Sequence, residues 1–168
     1  MLLTACAAVL SAAEFRLDID GGAKGRVAPV SCSEGVVLSQ ASWLGVNKDR
    51  RMSCNVEVTS DWKEYSFTFI PKADGRYGIH LMSEKKNIKV CCDDIVMTGA
   101  KIANGSFEKM NDKGLPVNWY KSGKASISSD NAADGNNCAV SAHDDRWTQN
   151  FVCKKGEPVT VTFKARKY

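Results

Sequence analysis

The sequence predicts an all-β fold of the sandwich type, on three observations. Apolar and polar residues alternate with a period of two in five separate segments. Turn-forming residues stand between those segments. No window of a dozen residues carries the i, i+3, i+4 apolar spacing of an amphipathic helix.

The segments follow in order. Phe15-Arg16-Leu17-Asp18-Ile19-Asp20 alternates and stops at Gly21-Gly22. Tyr65-Ser66-Phe67-Thr68-Phe69-Ile70 alternates and stops at Pro71, which cannot donate to a sheet ladder. Tyr77 to Met82 follows a Lys-Ala-Asp-Gly turn, and Ile88 to Cys91 follows the charged turn Glu84–Asn87. Val159-Thr160-Val161-Thr162-Phe163-Lys164-Ala165 is the clearest strand of all. Such strands bury one face and wet the other, as antiparallel sheets do. Ser33–Ser53 and Asn111–Asn137 are less regular and read as long loops, where binding residues concentrate.

With 168 residues and 43% hydrophobic content, the chain can form one sizeable sandwich or two small ones. The net charge of +4 comes from interspersed Lys, Arg, Asp and Glu. No basic stripe carries interleaved aromatics, so nucleic acid is not an expected partner. The apolar run Leu2–Leu10, followed by Ser11-Ala12-Ala13, reads as a secretory signal over residues 1–13, with a buried first strand as the alternative. It is too short to cross a bilayer. The expected location is therefore secreted or cell-surface.

Seven cysteines occur. Loss of a signal peptide would remove Cys6 and leave an even set. No Cys/His spacing suits zinc. Cys91 and Cys92 are adjacent in a strand and must point to opposite faces. Cys138 and Cys153 flank an apparent hairpin and form the candidate disulfide, with buried free thiols that pack as small apolar residues as the alternative.

Several motifs together resemble a known family. Asn104-Gly105-Ser106-Phe107-Glu108, then Gly114-Leu115-Pro116 and Trp119, look like the opening of a galactose-binding-like jelly roll. That family includes carbohydrate-binding modules attached to secreted glycoside hydrolases. Its Gly-rich loop, Gln-containing strand and G-x-x-V-x-V-x-F-x-A-R segment are matched by 134–140, 147–152 and 156–166. Its V-T-x-x-W-x-x-Y-x-F-T-F segment and D-D-I ending are matched by Val58–Phe69 and Asp93-Asp94-Ile95. The order is inverted: here the family's second half comes first. Two arrangements remain open. Residues 14–168 form one sandwich with a circularly permuted strand order, in which Cys91–Glu108 is an internal hairpin joining the family's first and last strands. Alternatively, 14–99 is the C-terminal part of one module and 100–168 the N-terminal part of a second.

The resemblance implies a non-catalytic module that binds a polysaccharide or other glycan, of the kind attached to a larger polysaccharide-processing protein. It further implies a structural calcium held by Glu108 with Asp93 or Asp94, since calcium takes about 6–8 oxygen ligands. Sugar rings present apolar faces to aromatic rings and hydroxyls to polar side chains. Trp147, within His143-Asp144-Asp145-Arg146-Trp147-Thr148-Gln149, is the first candidate, with Arg146, His143 and Gln149 beside it. Trp43 and Tyr120 follow, while Trp62 and Trp119 are expected in the core. His80 lies on a regular strand and reads as structural. No nucleophile sits at a recognisable elbow, so no catalytic residue is assigned. The rival expectation is a structural or protein-interaction sandwich of an extracellular or cell-surface protein, with no sugar site.

Overall fold

The computed structural model describes residues 15–21, 26–42 and 50–168. Among them are twelve strands and no helix: β1 (Phe15–Asp20), β2 (Val27–Cys32), β3 (Val36–Ser42), β4 (Arg50–Val56), β5 (Lys63–Pro71), β6 (Gly75–Ser83), β7 (Val90–Thr98), β8 (Tyr120–Ser122), β9 (Ser126–Ser128), β10 (Cys138–Ser141), β11 (Arg146–Cys153) and β12 (Val159–Lys167). They form two antiparallel sheets packed face to face. The first has the order β3-β4-β1-β6-β11-β8, and the second β2-β5-β12-β7-β10-β9.

Both sheets draw strands from both halves of the sequence. β12 is inserted between β5 and β7, and β11 lies against β6. β1 and β12 face each other across the sandwich, where the rings of Phe15 and Phe163 meet at 5.4 Å. The alternation seen in the sequence explains the core. Phe15, Leu17 and Ile19 of β1, Tyr65, Phe67 and Phe69 of β5, and Val159, Val161 and Phe163 of β12 all turn inward and are buried. Their outward neighbours are polar, so each strand has one face to bury.

The irregular stretch Ser33–Ser53 contains all of β3 and the start of β4, and Asn111–Asn137 contains β8 and β9. The short β8 is exposed at all three residues, so no apolar rhythm marks it.

Cys91–Glu108 does not form the expected hairpin. β7 ends at Thr98, and the chain turns at Gly99 with φ +85°. A side chain at Gly99 would strike the Pro158 carbonyl. The segment then folds back, and the amide of Ile95 donates to the Gly105 carbonyl at 3.0 Å. Asn-Gly-Ser-Phe-Glu is a turn rather than a strand. Asn104 organises it: its side-chain amide donates to the carbonyls of Lys109 and Val117, and its carbonyl oxygen accepts from the Lys109 amide. Phe107 sits in the left-handed region at φ 58° and is buried, its ring 4.9 Å from Trp119. Gln149 of β11 ties the same segment down. Its oxygen accepts from the Ala103 amide and its nitrogen donates to the Ala103 carbonyl, each at 2.8 Å.

The cysteines correct another expectation. β10 and β11 lie in different sheets, so Cys138 and Cys153 do not flank a hairpin. Cys153 belongs to the core between the sheets, and Cys138 to a small outer cluster with Cys91 and Val140, against which Trp62 packs. Both thiols are free, and Cys138 is the hydrogen-bond partner of Cys91 instead. Cys91 and Cys92 do face opposite ways, Cys92 into the main core and Cys91 outward. No described helix is long and apolar enough to cross a membrane.

Candidate functional site

The outward face of the first sheet carries a continuous row of polar side chains. Register aligns one outward row across all six strands: Ser39 opposite Ser53, Ser53 opposite Asp18, Asp18 opposite His80, His80 opposite Thr148, and Thr148 opposite Tyr120. The β1 end of this row is tied by short polar contacts. Buried Asp18 accepts from Arg16 Nε at 2.7 Å and from Ser53 Oγ at 2.6 Å. Arg16 also reaches Glu84 at 3.4 Å, and Arg51 reaches Asp20 at 3.4 Å.

His80 stands at the centre of the face. Its Nδ1 hydrogen-bonds with Thr148 Oγ1 at 3.1 Å. Its Nε2 is 3.9 Å from Asp20 and has no hydrogen-bond partner among the described residues. Burial, reinforced by the nearby Arg51 charge and only partly offset by Asp20, pushes the imidazole down to about 4. It is therefore neutral at pH 7, with one ring nitrogen a donor and the other an acceptor.

Beyond His80 the face opens. Gly78 supplies no side chain there. A methyl in its place would lie 3.3 Å from His80 Nε2 and 3.4 Å from Asn150 Oδ1. A hollow of about 220 Å³ borders Asp20, Gly78, His80, Arg76 and Asn150. A larger cleft of about 420 Å³ shares Arg76 and Asn150 with it and continues to Lys101, Lys109, Asn118 and Tyr120. Tyr120 is 64% exposed on edge strand β8. The combined site offers one accessible ring beside amide, guanidinium and ammonium groups. Such a surface can stack on an apolar ring face and hydrogen-bond to hydroxyls. A roomier hollow of about 800 Å³ lies near the β2–β3 turn. Its one aromatic, Tyr65, is buried with its hydroxyl donating to the Glu57 carbonyl, so it offers no stacking ring.

The expected binding residues separate. Trp147 is corrected: it points into the core, is 0% exposed, and donates through Nε1 to the Ser126 carbonyl at 3.0 Å. A ring so enclosed cannot stack on a ligand. Gln149 borders the cleft, but its amide is committed to Ala103. Arg146 faces outward on β11, near enough to His80 to add to the depression of its pKa. His143 lies in the β10–β11 turn, hydrogen-bonded to Asp144 at 3.1 Å, and does not line the cleft. Trp43 lies outside the described residues, as do Cys6 and the whole of 1–13. Tyr120 alone of the candidate rings is placed on the cleft.

The expected calcium ligands are also separated. Asp93 is buried and accepts the amides of Asp94, Ala133 and Asp134 at 2.7, 2.9 and 3.1 Å. Burial pushes its carboxyl up to about 6 against the pull of those amides. Glu108 accepts the amides of Asn136 and Asn137 at 3.0 and 2.8 Å. Asp94 faces Lys164 at 3.0 Å. Two carboxylates thus grip the two ends of loop 133–137 through its N–H groups, and a third is paired with an ammonium. Among the described residues no group of three acidic, His or Cys side chains converges on one point. This donor set fits a loop clamp and fits calcium poorly, because calcium requires several converging oxygens.

Sequence reasoning missed Arg76, Lys101, Lys109, Asn118 and Asn150. Arg76 and Asn150 were accessible to it as outward positions on strands of period two, whereas the cleft's other wall comes from loops. Comparisons with protein-family models, curated proteins and solved structures return no match.

Proposed function

We propose that the chain is a non-catalytic carbohydrate-binding sandwich, secreted or cell-surface, that takes a glycan across the outward face of the first sheet. One observation carries the reading. The cleft runs from the exposed Tyr120 ring past Asn118 and Asn150 to the floor opened by Gly78. A pyranose stacked on Tyr120 would place its hydroxyls within reach of those amides. The motif resemblance to galactose-binding-like modules supports the same reading. Its place within a larger polysaccharide-processing protein belongs to the proposal. A glycan array probed with the full chain and with Tyr120→Ala tests it. Glycan capture reduced ~10-fold in the variant, or about 1.4 kcal/mol, is expected. An exposed substitution should shift stability by no more than ~0.5 kcal/mol. Equal capture by both proteins contradicts the site.

A second reading rests on the tryptophans. Trp119 and Trp147 are buried, and the Trp62 ring is covered by the Arg166 guanidinium at 5.2 Å. Each of the three indole N–H groups is spent on a carbonyl of this chain. No broad indole platform exists among the described residues, which favours a protein-interaction sandwich if no glycan is captured.

A further inference from the structure

The charges around the cleft are one-sided. Three cations line it, Arg76, Lys101 and Lys109, and no carboxylate does. None of the three is in an ion pair among the described residues, whereas Arg16, Arg51 and Lys164 each have a carboxylate partner. Asp20, which lines the adjoining hollow across the Gly78 floor, is engaged by Arg51. Elsewhere the signs mix or reverse: the hollow near the β2–β3 turn holds Glu34, Glu57 and Glu64 against Lys63. The cleft is therefore a local concentration of positive charge on a chain whose net charge is only +4. Unpaired cations around a concavity focus the field into it.

The backbone that carries the two lysines is anchored. Asn104 spends its whole side chain on the backbone of Lys109 and Val117. Gln149 fixes Ala103, two residues after Lys101. Arg76 rises from β6 beside the register pair Gly78–Asn150. Asn118 and Asn150 make no side-chain hydrogen bond among the described residues and keep their amides for hydroxyls.

We infer that the ligand of this cleft is an anionic glycan, its carboxylate or sulfate held by Arg76, Lys101 and Lys109 and its ring carried by Tyr120. This rests on the carbohydrate reading and narrows it. A guanidinium can take a carboxylate or a sulfate through paired N–H donors, while ammonium groups act as point charges.

Affinity electrophoresis of the full chain tests the inference in gels containing polygalacturonate, a sulfated galactan, or neutral galactan, at low and at 0.5 M salt. The triple variant Arg76→Gln, Lys101→Gln, Lys109→Gln runs beside it. A second triple variant, Lys86→Gln, Lys124→Gln, Lys154→Gln, removes the same charge at exposed positions that do not line the cleft. The expected result is retardation in an anionic gel that falls ~10-fold or more in the cleft variant, survives in the control variant, and weakens with salt. Which anionic gel retards the chain tells carboxylate from sulfate. Equal retardation in neutral galactan overturns the anionic inference and leaves the carbohydrate reading standing. Loss of retardation in both variants alike overturns the cleft as the anion site. No retardation in any gel overturns both readings. Unfolding midpoints of the variants, expected to match the parent, separate lost binding from lost fold.

Discussion

Replacing Trp147 by alanine distinguishes a core ring from a binding ring. The side chain is fully enclosed, and its indole N–H bonds the Ser126 carbonyl across to β9. Truncating a buried Trp to Ala typically costs about 3–5 kcal/mol through lost transfer energy and the cavity left behind. The orphaned carbonyl adds on the order of 1 kcal/mol. Domains of this size are stable by only ~5–15 kcal/mol, so the variant should lose about a quarter or more of its stability. Trp147→Phe keeps most of the ring volume and loses the N–H, so a smaller loss of about 1–3 kcal/mol is expected. Urea denaturation measures both, with the midpoint falling in the order parent, Phe, Ala at nearly constant slope. Parent-like midpoints for Trp147→Ala would refute the packing described here. Parent-like stability with loss of glycan capture would restore Trp147 as a surface ring.

Other expectations follow from the same contacts. For His80, the folded imidazole titrates at about 4 against an ordinary 6.5. The unfolded chain therefore takes up the proton first, and stability present above pH 6.5 is lost as pH falls toward 4, by ~3 kcal/mol at most. Asp93, raised to about 6 from 3.8, acts oppositely: its contribution is full below 3.8 and lost as pH rises through 6. His80→Gln should thus gain stability relative to the parent as pH falls from 6.5 to 4, and parallel pH profiles would contradict the burial of that ring. Gly105→Ala should cost about 1–3 kcal/mol, because its methyl would meet the Ile95 carbonyl and break the return of the chain to β7; an unchanged melting midpoint would refute that close approach. Calcium and chelator should leave the melting midpoint unmoved, since Asp93 and Glu108 are occupied by amides; a calcium-dependent rise would reinstate a metal there. Peptide mapping without reductant should give no Cys138–Cys153 link, and a link between them would contradict their placement on different sheets.

What could be read from the sequence tracks how each strand is buried. β1, β5, β6 and β12 bury one face and wet the other, so their alternation survives in the residue order. β4 alternates just as well, with Met52, Cys54 and Val56 inward, but its opening Arg-Arg disguised it as part of a basic loop. β8 has no inward residue and left no signal. The polar neighbours of Trp147 mask its phase in the strand. Trp147, Gln149, Phe151 and Cys153 share one side of β11, and Phe151 and Cys153 mark that side as the core. The Cys138–Cys153 pairing failed because adjacency in sequence does not say that β10 and β11 cross between sheets. Of the candidate site, Tyr120 was legible as a ring in a polar loop. The convergence of Arg76, Lys101, Lys109 and Asn150 was not, since it depends on which loop folds over which strand.

The most direct measurement is an amide NMR titration of the isotope-labelled chain with the glycan that the array captures best. The account predicts shift changes confined to Arg76–His80, Lys101–Asn104, Lys109, Asn118–Tyr120 and Thr148–Asn150, around the cleft on the first sheet. Changes centred on loop 133–137 or on the β2–β3 turn, with those residues unmoved, would contradict it.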